Sequence, residues 1–436
     1  MITKIYKRDG SQAPFDKSRI TNAIYKASSS CGGHDIKEAR RLTERVVDIL
    51  EYHFPGTIPS VEEIQDVVEK VLIEEGHVRT AKAYILYRKK RKELREKKEK
   101  KEIENIPYKR IWQVLLWNLE HSCETVDKLN EHIKVGTFPK LIKDSEKDYE
   151  EEISNLASLI AEDFNKGKFR LFIVAGPSSS GKTTTTRRLG QKLKRKNINF
   201  LELNIDNYFY NLRYHLKDGY GDYDFEGPYA LDIPLINEHL DELLRGKVVK
   251  VPVYNFKTGY REAKTTPLRL KSNQVLLVDS HFGLYPQLTE SVPRKSKVGL
   301  YLETLCQLRE KNGRFVRWTD IRMLRRMIRD IQFRKYNPVQ TVGHWHYVRQ
   351  GELKNIIPYI SEADYVLNTS LPYELPILKH CLFRLFPAII KTYEKDSARQ
   401  DAYIRAERVY RLLKSIKEWK DTTLVPKDSI LREFIG

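Results

Sequence analysis

Apolar and polar positions along the chain follow two rhythms. Between Ser60 and Tyr87 the apolar residues Val61, Ile64, Val67, Val68, Val71 and Leu72, then Ala81, Ala83 and Ile85, recur with a helical period. Ahead of them Ile2 to Lys7 predicts a short strand and Asp9-Gly10 a turn, so residues 1–90 read as a small α+β unit. A charged run, 88–104, ends this segment, and a polar helical stretch carries on to Lys168. There the rhythm changes: Phe169 to Ala175, Asn199 to Ile205 and Gln274 to Val278 are short, mainly apolar runs that predict buried strands. After about residue 380 the helical period returns, with Ala402, Ala406, Val409, Leu412 and Leu413 on one face. No window approaches the roughly 18 apolar residues of a membrane span, and MITKIYKRDG lacks the apolar stretch of a secretory signal. A cytoplasmic chain with no membrane partner is the expectation.

Length and charge narrow this picture modestly. At 436 residues the chain exceeds what one hydrophobic core usually supports, which predicts two or three domains. The excess of 78 Lys+Arg over 59 Asp+Glu, a net +19, favours polyanionic ligands, either nucleic acid or nucleotides. The run RKKRKELREKKEKKEIE pairs Glu93 with Lys97 and Glu96 with Lys100 at i,i+4 spacing, the signature of a solvated helix or linker; a nucleic-acid or partner contact is the alternative. Cys31, Cys123, Cys306 and Cys381 stand far apart without CxxC or metal-ligand spacing, and ordinary buried thiols are expected.

The chemistry begins at the end of the first strong strand. Gly176-Pro-Ser-Ser-Ser-Gly181-Lys182-Thr183 satisfies GxxxxGK[ST] between a strand and a helix, the context a phosphate-binding loop requires. Its glycines let several backbone N–H groups face one anion, and the helix start adds the positive end of its dipole. Gly176, Ser178, Ser179, Ser180, Gly181, Lys182, Thr183 and Thr184 are the candidate ATP contacts; Lys182 reaches the β- and γ-phosphates and Thr183 offers a hydroxyl to magnesium. Asp206 ends the second strand, where a carboxylate near the γ-phosphate can take the proton of an attacking hydroxyl; a helix cap is the alternative. Asp279 ends the third strand, the place of an acid that holds magnesium. Arg322, Arg325, Arg326 and Arg329 recur along one helical face, followed by Arg334: either a lid that neutralises the transferring phosphate or a solvated basic face.

Two resemblances sharpen these expectations. KRDGSQAPFDKSRI at 7–20 and SVEEIQDVVEKVLIEEGHVRTAKAYILYRKKR at 60–91 resemble the ATP-cone, the regulatory nucleotide domain of ribonucleotide reductases and their transcriptional repressor. The resemblance implies a regulatory ATP or dATP held by Lys7, Arg8 and Arg19. From about Thr125 onward, FIVAGPSSSGKTTTTRRL, NIDNYFY, YDFEGPYALDIP, VPVYNFKTGYRE and TDIRMLRRMIRDIQFRKY resemble the uridine kinase and phosphoribulokinase group. That resemblance implies Asp206 as general base, Glu226, Tyr254 and Phe256 around the acceptor, and Arg326, Arg329 and Arg334 on ATP. The base-reading set departs from the group: Gly259 replaces a His, Tyr336 and His344 replace an Arg and a Gln, and Asp279-Ser280-His281-Phe282 replaces Glu-Gly-Ile-His. His344, beside Trp345 and His346, is either a substrate contact or a packed or surface histidine.

The expected architecture is α/β, a P-loop kinase with a mostly parallel sheet flanked by helices, preceded by a small α+β ATP-cone domain and a helical linker. The expected divisions are 1–92 (cone), 93–165 (linker), 166–380 (kinase) and 381–436 (helical extension). The expected activity is magnesium-dependent transfer of the γ-phosphate of ATP to a small-molecule hydroxyl, most readily a nucleoside, in a homo-oligomer. A sugar, polyol or sugar phosphate as acceptor is the alternative. In another class stands a nucleotide-responsive regulator that binds nucleic acid through the basic run.

Overall fold

The computed structural model describes residues 2–7, 12–89, 106–215, 227–334, 336–396 and 399–436; Arg8, Glu226, the side chain of Arg334 and the 90–104 part of the charged run lie outside the described residues. The chain divides into two units, Met1–Ile103 and Glu104–Gly436.

In the first unit the predicted short strand, Lys4–Tyr6, pairs antiparallel with Gln12–Pro14. Helices Lys17–Ser29, Ile36–His53 and Val61–Glu74 follow, and a further helix spans 78–89. Each start is written locally: Asp16 and Asp35 cap the first two, and Ser60 with Glu63 forms a reciprocal capping box on the third. The helical-period residues Val68, Val71 and Leu72 pack with Ile24, Leu42, Val46 and Leu50 into the unit's core.

The second unit is built on a five-stranded sheet. Its strands are β1 (Leu171–Ala175), β2 (Asn199–Glu202), β3 (Gln274–Asp279), β4 (Lys297–Glu303) and β5 (Tyr365–Asn368). Their order is β5-β4-β1-β3-β2, and all four pairings are parallel. A parallel sheet buries both faces, which is why its strands read as continuous apolar runs rather than alternating ones. On β1 the side chains alternate between two cores: Phe172 and Val174 enter one, Leu171, Ile173 and Ala175 the other.

Helices cover both faces. One core takes α1 (Lys182–Lys194), α2 (Trp318–Arg329) and α3 (Pro338–Asn355); the other takes Ile233–Leu244. Helix Phe138–Asn165, in the segment expected as a linker, and helix Gln400–Ser415, in the expected extension, bury Ile153, Ala157, Ala406 and Val409 in that first core. Their apolar stripes need a partner, and the sheet's covering layer supplies it. No helix among the described residues is long and apolar enough to cross a membrane.

Candidate active site

The carboxyl ends of the parallel strands gather most of the residues singled out by sequence. β1 runs into the 176–181 loop, and α1 starts at Lys182. Ser179 and Gly181 take left-handed φ values of 60° and 83°, which curl the loop. At Gly176 a Cβ would lie 2.4 Å from the carbonyl oxygen of Leu302, so only glycine lets the loop sit against β4. The hydroxyls of Ser179 and Ser180 are buried without a hydrogen-bond partner, an arrangement that suits an anion in the curl.

What fixes this loop is an arrangement the sequence did not disclose. Arg322 and Arg325 are 1% and 0% exposed, so they are not the solvent-facing or lid-forming guanidinium groups that helical spacing suggested. Arg322 donates to the carbonyl of Ser178 (3.2 Å), is chelated by Glu352, and pairs with Glu303 at 3.0 Å. Arg325 reaches the carbonyl of Ser179 (3.5 Å) and is chelated by Glu374 at 2.7 and 3.1 Å. Two buried guanidinium groups therefore hold loop carbonyls from behind, and each is neutralised by carboxylates from other elements. Arg326, on the same helix, is only partly buried and donates to Ser178 Oγ (2.8 Å) and Asp330 (3.1 Å). Arg329 acts electrostatically on Lys182 and His281. Arg334 ends the π-helical turn Asp330–Arg334 that continues α2.

Lys182 is half-buried. Its ammonium donates to the carbonyl oxygens of Gly176 (2.9 Å) and Pro177 (3.4 Å) and meets His281 Nδ1 at 3.0 Å. Desolvation lowers its pKa, opposed by Asp279, Glu433 and Asp206. His281, two residues beyond the third strand's acid, is driven well below its ordinary value by desolvation and then by Lys182, and its Nδ1 also stands 3.0 Å from the carbonyl oxygen of Gly176. Thr183 is exposed at the helix start.

Asp279 ends β3, and its carboxyl is pushed up to about 6, first by burial and further by the like charges of Glu202, Asp206 and Glu433, against the lowering pull of Lys182. A carboxylate so destabilised suits a cation. No cluster of three or more His, Cys, Asp or Glu able to hold a metal occurs among the described residues. The donor set fits magnesium, which keeps several waters and takes phosphate oxygens alongside one or two protein groups. Thr183 and Asp279 are the residues that would contribute.

Asp206 lies in the turn after β2, exposed, its backbone N–H capped by Asn204 Oδ1 at 3.0 Å. The next residue ties this turn to Tyr254: Asn207 Oδ1 accepts from the Tyr254 N–H at 3.2 Å. Tyr254 and Phe256 form an aromatic cluster with Phe209, with ring centroids 4.9 to 5.9 Å apart. Phe256 is 62% exposed, and the Tyr254 hydroxyl is buried without a hydrogen-bond partner, a polar atom available to a ligand. His344 is not part of this cluster; it stands on the exposed face of α3 with its ring against Tyr347. Glu226 lies outside the described residues.

Two further site residues escaped the sequence reading. His281 carries a signal in hindsight, a second polar residue just past an acid that ends a strand. Glu433 lies in SILREFIG at 429–436, a segment that resembles the kinase group without giving this residue a role; the Thr184 N–H donates to its carboxylate at 3.1 Å across 249 residues of chain.

In the first unit Arg19 lines a cavity of about 520 Å3 with Lys26, Gln65, Tyr84, Tyr87 and Arg88. Arg88 is held by Glu62, Asp66 and Glu69. Lys7 is exposed just after the first strand, and Arg8 lies outside the described residues.

A glycine-curled loop between a parallel strand and a helix, followed by one acid in the turn after β2 and another at the end of neighbouring β3, defines the P-loop phosphotransferase class. Comparison with known proteins agrees on both units. Residues 3–93 match the ATP cone domain and residues 171–372 the Phosphoribulokinase / Uridine kinase family. A uridine kinase of Mycoplasma genitalium is 30% identical over 162 residues, 37% of this chain and 67% of its own. One from Deinococcus deserti is 28% identical over 211 residues, 46% of this chain and 89% of its own. The first unit is similar to part of the vitamin B12-dependent ribonucleoside-diphosphate reductase of Thermoplasma acidophilum, 49% identical over 96 residues; that match spans 21% of this chain and only 12% of the reductase. The chain belongs to the phosphoribulokinase and uridine kinase family, and it carries an ATP-cone nucleotide domain ahead of the kinase domain.

Proposed function

We propose that the protein moves the γ-phosphate of ATP, with magnesium, onto a hydroxyl of a small molecule, a nucleoside of the uridine type first among them, under control of ATP or dATP at the cone. The observation that carries this reading is the convergence on Lys182 of three elements: the anion-shaped loop, Asp206 and the raised carboxyl of Asp279. Lys182, held by the carbonyls of Gly176 and Pro177 and by His281, swings to the β- and γ-phosphate oxygens. The Gly181 to Thr184 backbone and the hydroxyls of Ser178, Ser179 and Ser180 cradle the phosphate chain. Arg326, Arg329 and Arg334 offset charge that develops on the transferring group. Asp206 accepts the proton of the attacking hydroxyl, and Tyr254 and Phe256 wall the acceptor. Magnesium, held by Thr183, Asp279 and the phosphates, would neutralise charge on the triphosphate.

One observation favours a smaller acceptor such as a sugar or polyol. Gly259, where uridine-cytidine kinases carry a histidine, sits at φ 76°, and a Cβ there would lie 2.8 Å from that of Leu212. The position has no room for a base-reading side chain. ADP release measured across nucleosides, sugars and polyols, beside Asp206→Ala, tests the whole reading. One acceptor turned over by the parent and not by the variant supports it. ATP binding without acceptor-stimulated release on the whole panel would transfer support to a nucleotide-responsive regulator.

A further inference from the structure

We propose that the segment Ser429 to Gly436 is part of the ATP site, with Glu433 occupying a backbone N–H that a nucleotide phosphate must take from it. The inference rests on the reading that the 176–183 loop receives ATP.

The tail is built into the unit. Ile430, Leu431 and Phe434 are each 0% exposed. Ser429 donates to Glu146 at 2.6 Å, and Arg432 binds the carbonyl oxygens of Thr422, Val425 and Gly436 at 2.6 to 2.9 Å. Such anchoring fixes the backbone on either side of Glu433, so its carboxylate is delivered to one place. That place is the phosphate loop. Ile430 packs on Gly181, where a Cβ would lie 2.8 Å from its Cγ2, and Glu433 accepts from the Thr184 N–H at 3.1 Å. The first N–H groups of a helix have no partner within it, and in a phosphate loop they are the groups aimed at the anion. One of them is already filled here by an anion the chain brings itself.

A second observation points the same way. An open groove of about 580 Å3 runs between the start of α1 and the tail, lined by Thr183, Thr184, Arg187, Lys427, Arg432 and Glu433. It shares Thr183 and Thr184 with the loop and is large enough for a nucleoside. A nucleotide whose terminal phosphates lie against Lys182 and whose nucleoside half lies in this groove must pass Thr184, with Glu433 in its path. Two anions cannot both take the single N–H, and their like charges repel. Occupancy by a phosphate therefore requires the Glu433 side chain to turn away, while the buried neighbours keep the tail backbone in place.

Calorimetric binding of ATP, ADP and adenosine to the full chain tests this, with Glu433→Gln and Glu433→Ala compared with the parent. Loss of the charge is expected to lower the Kd of ATP and ADP about fivefold to tenfold and to leave adenosine, which has no phosphate, within about twofold. Melting curves that overlay the parent's confirm that the variants fold. Measurable ATP binding that is equal or weaker in both variants would overturn the proposal alone and leave the kinase reading intact. ATP binding that appears only in the variants supports the proposal, whereas absence of binding in all three proteins removes the nucleotide reading together with it.

Discussion

In the two nucleotide-handling regions, Arg322 and Arg325 on one side and Arg19 on the other are held in opposite ways. In the kinase unit Arg322 and Arg325 are sealed beneath the phosphate loop, each chelated by a carboxylate and each donating to a loop carbonyl. In the cone unit Arg19 is 80% exposed along its side chain, and Arg88 spans three carboxylates of the neighbouring helix. A catalytic loop has to be preorganised, so its supports are buried and matched in charge. A sensing surface can order its long, solvated side chains when the ligand arrives, at an entropic cost that keeps binding reversible. The contrast predicts where substitutions act on chemistry, where on stability, and where on regulation alone.

The largest effects are expected at the groups proposed to react. Asp206→Ala should lower kcat by about 10²–10⁴-fold with the fold unchanged, the range for loss of a general base; steady-state kinetics on the identified acceptor measures it. Next come the buried supports. Arg322→Met leaves buried Glu303 without its cation and Glu352 with Arg349 alone, and should cost about 3–5 kcal/mol by urea unfolding. A loss no larger than that of a surface substitution would erase the distinction drawn between the two regions.

Asp279 gives a smaller, pH-dependent effect. Its carboxyl is raised to about 6 from 3.8, so its charge opposes folding above that pH, and the penalty fades as pH falls through 6. In the nucleotide-free protein Asp279→Asn should raise Tm by a few degrees at pH 7.5 and by less at pH 5. An equal shift at both values would show that the carboxyl titrates normally. The smallest effect on stability, within about 0.5 kcal/mol, is expected for Arg19→Ala. There the readout is regulation: the response of turnover to dATP should vanish while basal turnover stays.

Much of this was legible without coordinates, because it depends on neighbours in the chain. The 169–175 run becomes β1, the loop after it curls as its glycines allow, and both acids fall at or just beyond strand ends. The helical period in 60–87 yields the helix at Val61–Glu74 and the one over 78–89. The arginines of α2 were legible as a helical row but not in their roles. Spacing marks a shared face; it cannot show that Arg322 meets Glu352 and Arg325 meets Glu374 while Arg326 faces Ser178 Oγ. The segment after 381 offered a helical face and no chemistry, yet it brings Glu433 to the Thr184 amide.

The sequence by itself determined the periodicities, the helix caps, the phosphate loop and the acids that follow strands, since each is set by backbone sterics and hydrogen bonding within a few residues. Only the tertiary structure decided which guanidinium groups are buried supports and which carboxylates neutralise them. It alone also decided that Asp279 carries a raised carboxyl and that the last eight residues lie on the loop. Burial and charge pairing depend on partners tens to hundreds of residues away, and it is the packing of helices on the parallel sheet that selects those partners.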